Sequence, residues 1–387
     1  MRFNKIKIIV GSALFSLTIG LILFINGCHK EDIPDVVPFS ATPYNLKIPQ
    51  FFPTRLNIPE DNPLTVEGVQ LGRYLFYDTR LCGYLGTSPD SMLSCANCHV
   101  QATGFDIGTN NPRFPNGEVM GLGGVAPHHN VMPLINLIFN NEGYFWNGMV
   151  CESNPHIDRR NLEDIVRMAI TGPDEMNSTA EKTVAAIAGI PTYPPMFKKA
   201  FGTEEVTMDR IKKAIAQFIR TLISGNSKFD KFMRGEVQLT NSELRGYILF
   251  TTEEGADCFH CHGSEGTPLF TTNLFYNNAL DSIFDDPHDR YGYTGNPSDV
   301  GAYRAPTLRN VVVTAPYMRD GRFQTLDEVL RFYNEGLIYS PYVHPLMHKI
   351  NQGGALLTPP QLEDLKAFLN TLTDEEFLTN PQFANPH

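Results

Sequence analysis

The sequence predicts a mostly helical protein built from two related halves, with long loops and little β-structure. Three observations carry that reading. Apolar residues recur at helical spacing in several stretches, most clearly Ile211, Ile215, Phe218, Ile219 and Leu222 on one face. Strand signals are few, and 28 Pro and 31 Gly point to long connections. A five-residue motif occurs twice, as Cys95-Ala96-Asn97-Cys98-His99 and as Cys258-Phe259-His260-Cys261-His262.

Each copy reads C-x-x-C-H, the attachment signature of a c-type haem. Two thiols three positions apart can each form a thioether to one porphyrin edge, and the adjoining imidazole then lies under the iron. A C-x-x-C pair alone would also suit half a zinc site, a redox dithiol or a structural disulfide. Histidine directly after the second cysteine in both copies favours haem, because a shared zinc site would not require it. The expectation is two covalently bound haems c. Cys95, Cys98, His99, Cys258, Cys261 and His262 would attach them, with His99 and His262 as proximal iron ligands. The halves are then two cytochrome-c-like helical haem domains.

The totals are consistent with this. Hydrophobic content of 42% supports real cores, and 19% charged residues argue against a disordered chain. A net charge of −11 argues against nucleic-acid binding, which wants a basic face, and suits a basic redox partner.

Taken in order, residues 1–28 form a targeting segment. Arg2, Lys5 and Lys7 precede an uncharged apolar run from Ile8 to Ile25. The run is long enough for a membrane-spanning anchor to compete. Ile25-Asn26-Gly27-Cys28 resembles a bacterial lipoprotein processing box with Cys28 lipidated, and Lys30-Glu31-Asp32 resembles an acidic surface-export signal. Either way the folded part is expected outside the cytoplasm, in the periplasm or at the outer membrane. Residues 29–63, rich in Pro and turn formers, read as a tether and extended arm. The first haem domain spans 64–240. It opens with helical spacing over Glu67–Tyr77 (Val69, Leu71, Leu75), and a glycine-rich loop from Val100 to Asn130 follows the first motif. Leu134–Phe139 reads as a short helix or buried segment. Helices are predicted over Leu162–Ile170, stopped by Gly172-Pro173, and over Asp209–Ile223. The second domain spans 241–377. Its helices are predicted from Ser242 to Phe250, Leu326 to Tyr333 and Gln361 to Leu372, with a turn-rich stretch over 270–300. A tail of 378–387 remains. Cys82 and Cys151 are the cysteines left over, and in an exported protein they are candidates for a disulfide.

At this point the chain resembles the bacterial di-haem cytochrome c peroxidase and MauG family. The likeness covers Leu64 to Phe377. It rests on Leu71-Gly72-Arg73-Tyr74-Leu75-Phe76-Tyr77-Asp78, Phe145-Trp146-Asn147-Gly148 and Pro173-Asp174-Glu175-Met176. In the second half it rests on Arg304-Ala305-Pro306-Thr307-Leu308-Arg309-Asn310 and Thr314-Ala315-Pro316-Tyr317. The resemblance implies that the His99 haem is peroxidatic and that Glu175 is the distal carboxylate moving a proton between peroxide oxygens. It implies that Trp146 lies between the haems as an electron-transfer bridge. It also implies a calcium ion held by Asn130 and the carbonyls of Thr314 and Pro316, oxygen donors that suit calcium. The ordinary alternatives are a solvated loop acid for Glu175 and a core side chain for Trp146.

The chain also departs from the peroxidase pattern. Where those enzymes carry a distal methionine on the second haem, this sequence has Tyr333, as MauG-type proteins do, and Met347 is a candidate replacement ligand. A thioether favours Fe(II), and a phenolate favours Fe(III). His128 and His129 stand where the family often has Arg beside Asn130, either capping the first haem or bonding its propionates, and Ile165 replaces a glutamine. The expected function is reduction of hydrogen peroxide with electrons from a small donor protein such as cytochrome c. The alternatives are MauG-like oxidation of a protein or small molecule, and a non-enzymatic di-haem electron carrier. The resemblance also admits a homodimer, with membrane contact through the lipid anchor only.

Overall fold

The computed structural model describes residues 39–387, except 85, 87, 151–160 and 264–266. The targeting segment, Cys28 and Cys151 therefore lie outside the described residues, and so does the Cys82–Cys151 bridge. The Cys82 thiol is buried and donates to the Thr79 carbonyl at 3.0 Å. The chain is mostly α, as expected, and its one sheet among the described residues has two short antiparallel strands, β1 (Phe275–Tyr276) and β2 (Tyr303–Arg304). No helix among the described residues is long and apolar enough to cross a membrane.

Residues 41–387 form one compact unit that contains two large apolar cores. The first is organised by α1 (Val66–Tyr77), capped by the Thr65 hydroxyl accepting from the Gly68 N–H. Its buried stripe of Leu71, Gly72, Leu75 and Phe76 crosses the longest apolar helix of this half, Met208–Arg220. That helix ends three residues earlier than predicted, because Leu222 and Ile223 continue in turns beyond the Thr221 cap. The second core repeats the arrangement with Asn241–Thr251 crossing Pro359–Asn370, each opened by a capping box (Thr240 with Glu243, Thr358 with Gln361). The crossings match in detail. A methyl group at Gly72 would overlap the Ala214 carbonyl, and one at Gly246 would overlap the Asp364 carbonyl. Absence of a side chain is what lets each helix pair approach so closely.

Besides the short helices Lys228–Met233, Arg290–Thr294 and Glu375–Thr379, two longer ones went unpredicted, Ala180–Ala188 and then Tyr193–Phe201. The second carries Pro194 and Pro195 in its first turn, where no donor is lost. Part of the arm also packs. Tyr44, Leu46, Phe52 and Leu64 join Ile138, Phe139 and Leu269 in a third apolar cluster. The last residues, assigned to a tail, return to the first core. Phe383 is buried against Phe105, and Arg73 Nε donates to the Ala384 carbonyl at 2.7 Å. Between the halves, Asp374 Oδ2 accepts from Gly225 N and Asn226 N, both at 2.9 Å, and so holds the connecting turn.

Candidate functional site

The first C-x-x-C-H motif forms a single helical turn, Cys95–Cys98, whose N-terminus is closed by Asn97 Oδ1 accepting from Ser94 N at 2.7 Å. That turn sets both thiols on one side. Next to it, His99 Nδ1 lies 2.8 Å from the Phe105 carbonyl, presented by a backbone in the left-handed region at φ 58°. A ring nitrogen that donates to a carbonyl leaves Nε2 as the free lone pair, the tautomer a metal ligand requires. Burial pushes the His99 pKa down to about 4, so the imidazole is neutral. The second motif repeats this design. In the turn Phe259–His262, His262 Nδ1 lies 3.1 Å from the Pro306 carbonyl, and burial again lowers its pKa to about 4.

The four thiols are held in surroundings that disfavour charge. Burial pushes Cys95, Cys258 and Cys261 up to about 12, and Cys98 higher still. Redox dithiols need a thiolate and sit where it is stabilised. These surroundings oppose it, and suit neutral thioethers.

Beside the second motif is a cavity of about 210 Å³. Cys258, Cys261 and His262 line it, as do Tyr333 and Met347, the two candidate distal ligands. Tyr333 projects from a helix over Leu326–Glu335 that is opened by a Thr325/Glu328 capping box, and its hydroxyl accepts from Asn278 Nδ2 at 3.0 Å. Burial pushes the phenol well above its ordinary range. Trp146 and Arg304 line the same cavity. Trp146 Nε1 donates to the Asn130 carbonyl at 2.9 Å, and its own carbonyl accepts from Arg304 N at 2.7 Å.

Arg304 tests the fit of a haem. It is only 7% exposed, and its Nε has no partner. Its remaining contacts are neutral, Asn273 Oδ1 at 3.1 Å and Met132 Sδ at 3.3 Å. Burial drags its pKa down to about 10. A buried cation without an anion is costly. An anionic group in the cavity removes that cost, and haem propionates are such groups. The residues present therefore fit the cofactor.

Glu175 belongs to the first motif. It sits in the turn after the helix Leu162–Thr171, with its backbone N–H bonded to the Gly172 carbonyl at 3.1 Å. The glycine loop closes over this turn. Leu122 N donates to the Glu175 carbonyl at 2.7 Å and Gly123 N to the Pro173 carbonyl at 3.0 Å. Gly121 and Gly123 lie so near that any side chain there would strike the Pro173–Glu175 backbone. Burial, helped by the neighbouring Asp174 charge, pushes the Glu175 carboxyl up to about 7. Its charge in turn adds to the upward push on Cys95 and Cys98.

Other expected residues fall differently. Asn130, Thr314 and Pro316 all line the second cavity, but Asn130 Nδ2 donates to the Pro316 carbonyl at 2.7 Å, so an N–H and not an oxygen faces that carbonyl. His129 Nε2 lies 3.0 Å from Asp286 Oδ2, and the His128 ring stacks on His288 at 3.6 Å, which commits both to the 286–288 loop. Asn278 was missed. Nothing in its local sequence marks it, since its role depends on a side chain 55 positions away.

With the geometry described, comparison with known proteins places the chain among relatives. A family model described as di-haem cytochrome c peroxidase matches residues 66–238. The methylamine utilization protein MauG of Methylorubrum extorquens is 32% identical over 327 residues, covering 84% of this chain and 83% of that protein. The cytochrome c551 peroxidase of Nitrosomonas europaea is 33% identical over 328 residues, covering 84% of each. Among solved structures, a MauG-like protein associated with microbial copper homeostasis superposes with a TM-score of 0.73 at 32% identity, over 89% of this chain and 99% of that one.

Proposed function

Because the chain belongs to the bacterial di-haem cytochrome c peroxidase and MauG family, we propose that it reduces hydrogen peroxide to water with electrons from a small redox protein such as cytochrome c. One peroxide, two electrons and two protons give two waters. Haem c would be held at both motifs by Cys95, Cys98, Cys258 and Cys261 with His99 and His262 as its protein ligands, and would supply the redox chemistry for O–O cleavage. The chain does the rest. Glu175 takes a proton from one peroxide oxygen and returns it to the other, work for which a carboxyl balanced near neutrality suits both directions. The Phe105 carbonyl keeps the His99 lone pair aimed outward. Trp146 offers an aromatic step between the halves, and Arg304 a cation for the propionates.

One observation carries this reading: the half-buried Glu175 carboxyl sits beside Cys95 and Cys98, where desolvation and Asp174 raise its pKa to about 7. Steady-state oxidation of reduced cytochrome c by peroxide tests it. Activity in the native protein that collapses in Glu175→Gln, with both haems retained, supports the role. Full activity in the variant defeats it.

A second reading, MauG-like oxidation of a protein or small molecule, is favoured by Tyr333 in the second cavity with its hydroxyl held by Asn278. A phenolate lowers the haem potential and makes that haem a poorer acceptor from cytochrome c. Peroxide turnover without cytochrome c oxidation would select this reading.

The proposal includes a location outside the cytoplasm with a lipid on Cys28, which membrane fractionation of a Cys28→Ser variant tests. A calcium ion at Asn130, Thr314 and Pro316 belongs to it only with the Asn130 amide turned over, so that Oδ1 replaces Nδ2.

A further inference from the structure

Four side chains that take no part in the chemistry above converge at the second motif: Glu253, Asp257, His260 and His348. His260 is one of the two residues between Cys258 and Cys261, and neither haem attachment nor the proximal ligand requires histidine there. Its Nδ1 lies 2.7 Å from Asp257 Oδ1, and the Asp257 side chain is only 4% exposed. Its Nε2 lies 3.7 Å from Glu253 Oε1. The His348 ring stands 4.8 Å from the His260 ring, with Nδ1 at 3.4 Å from Asp257 Oδ2. One donor atom each from Glu253, His260 and His348 can be chosen so that all lie within 4.8 Å of one another.

The chemistry of this cluster is specific. A buried carboxylate bonded to Nδ1 makes that nitrogen the proton-bearing one and leaves Nε2 as a lone pair. That lone pair then faces the lone pairs of a carboxylate oxygen, and something positive belongs between them. Carboxylate, imidazole and metal in line form the arrangement by which proteins orient metal-binding histidines. Distances agree. An ion with bonds of about 2.1 Å in tetrahedral geometry holds its donors about 3.4 Å apart, close to the 3.7 Å found between His260 and Glu253. Glu253 and His348 are exposed and free to close the remaining gap, and they leave an open side for entry and a fourth ligand.

We propose that Glu253, His260 and His348 bind one divalent transition-metal ion of the zinc and copper class, with Asp257 orienting His260 from behind. Two imidazoles and one carboxylate suit Zn(II) and Cu(II) and serve Ca(II) or Mg(II) poorly, since those ions prefer all-oxygen sites. None of its ligands is a proximal haem ligand or the proposed peroxide carboxylate, although His348 and Asp257 also border the second cavity.

Metal titration of the untagged holoprotein, after chelator treatment, tests this with Zn(II) by calorimetry and with Cu(II) by calorimetry and electron paramagnetic resonance. One equivalent of each ion is expected, and the copper spectrum, after subtraction of the metal-free protein, should show coupling to two nitrogens. Glu253→Gln alters an exposed side chain outside the cavity and should leave haem content unchanged, while His348→Gln, which borders the cavity, is compared at equal haem content. Each should weaken binding by about 100-fold, and His348→Gln should remove one nitrogen from the spectrum. Asp257→Asn should weaken binding about 10- to 100-fold with both nitrogens retained. No stoichiometric binding of either ion would overturn the assignment. So would binding that is equally tight in the His348→Gln and Glu253→Gln proteins.

Discussion

Asn278 donates to the Tyr333 hydroxyl at 3.0 Å inside the cavity that also holds His262. The bond fixes where the phenol oxygen sits and favours its charged form, while burial works against ionisation. Only a cation at that oxygen, such as ferric iron, would compensate. On the proposal that Tyr333 ligates the second haem, Tyr333→Met exchanges an anionic oxygen for a thioether. The midpoint potential of that haem should then rise by on the order of 0.1 V or more, within the span axial ligands cover. A spectroscopically followed redox titration measures this. An unchanged midpoint would move the ligand role to Met347.

On the proposed role, Glu175 would give peroxide turnover a pH dependence with a definite sign. It must be ionised to accept a proton, and its pKa is raised to about 7. Turnover should therefore fall as pH drops through about 7. In Glu175→Gln that limb should vanish, along with about 10²- to 10⁴-fold of the rate. Stability runs the other way. The folded state holds this proton more tightly than the unfolded chain, so the stability it contributes is complete below the ordinary carboxyl range and is lost as pH rises through about 7. Glu175→Gln should consequently unfold at a higher temperature than the native protein at pH 8, with the gap closing by pH 5, as a calorimetric scan at both values would record.

The two helix crossings predict a matched pair of stability losses. Alanine at Gly72 or Gly246 gains helix propensity of roughly 1 kcal/mol. It must also push a methyl group into the carbonyl of the facing helix, Ala214 or Asp364. Overpacking against rigid backbone outweighs propensity, so each substitution should destabilise the fold by a net of about 1–3 kcal/mol, measurable by urea denaturation. Equal tolerance at both positions would mean that the helices separate easily, and the close crossing would have no energetic weight.

Those crossings also mark how far the sequence could be read. The paired C-x-x-C-H motifs and the apolar spacing of Ile211, Ile215 and Phe218 are local patterns, and local patterns survive in one dimension. Gly72 and Gly246 lie 23 and 12 residues before their motifs, so no fixed spacing announced them as counterparts. Tyr193–Phe201 escaped because Pro194-Pro195 reads as a breaker until its place in the first helical turn is known. The return of Phe383 to Phe105, the Asn278 bond to Tyr333 and the meeting of Glu253 with His348 are all set by tertiary folding. The orientation of the Asn130 amide is subtler still, since residue type alone does not say which end of the amide faces Pro316.

The last prediction concerns a buried pair that locks the first half. Arg220 and Glu163, 1% and 3% exposed, meet in a two-pronged contact of 2.5 and 2.9 Å. Asn62 Nδ2 reaches the same carboxylate at 2.6 Å, and Arg220 Nε reaches the Asn57 carbonyl at 2.7 Å, which fastens the arm to the core. Burial alone would raise the Glu163 pKa, but Arg220 and Asn62 outweigh it and hold the group below its ordinary range. The pair's stabilisation is therefore present above that range and disappears as pH falls through the depressed value. Arg220→Met strands a buried carboxylate and should cost about 3–5 kcal/mol at pH 7 in urea denaturation. At acidic pH the loss should shrink, because the stranded acid can take up a proton. Arg220→Met combined with Glu163→Leu should recover much of the loss at pH 7, since an apolar pair of similar volume leaves no charge unpaired. A double variant as unstable as Arg220→Met alone would show that the bonds to Asn57 and Asn62, rather than the ion pair, hold this region together.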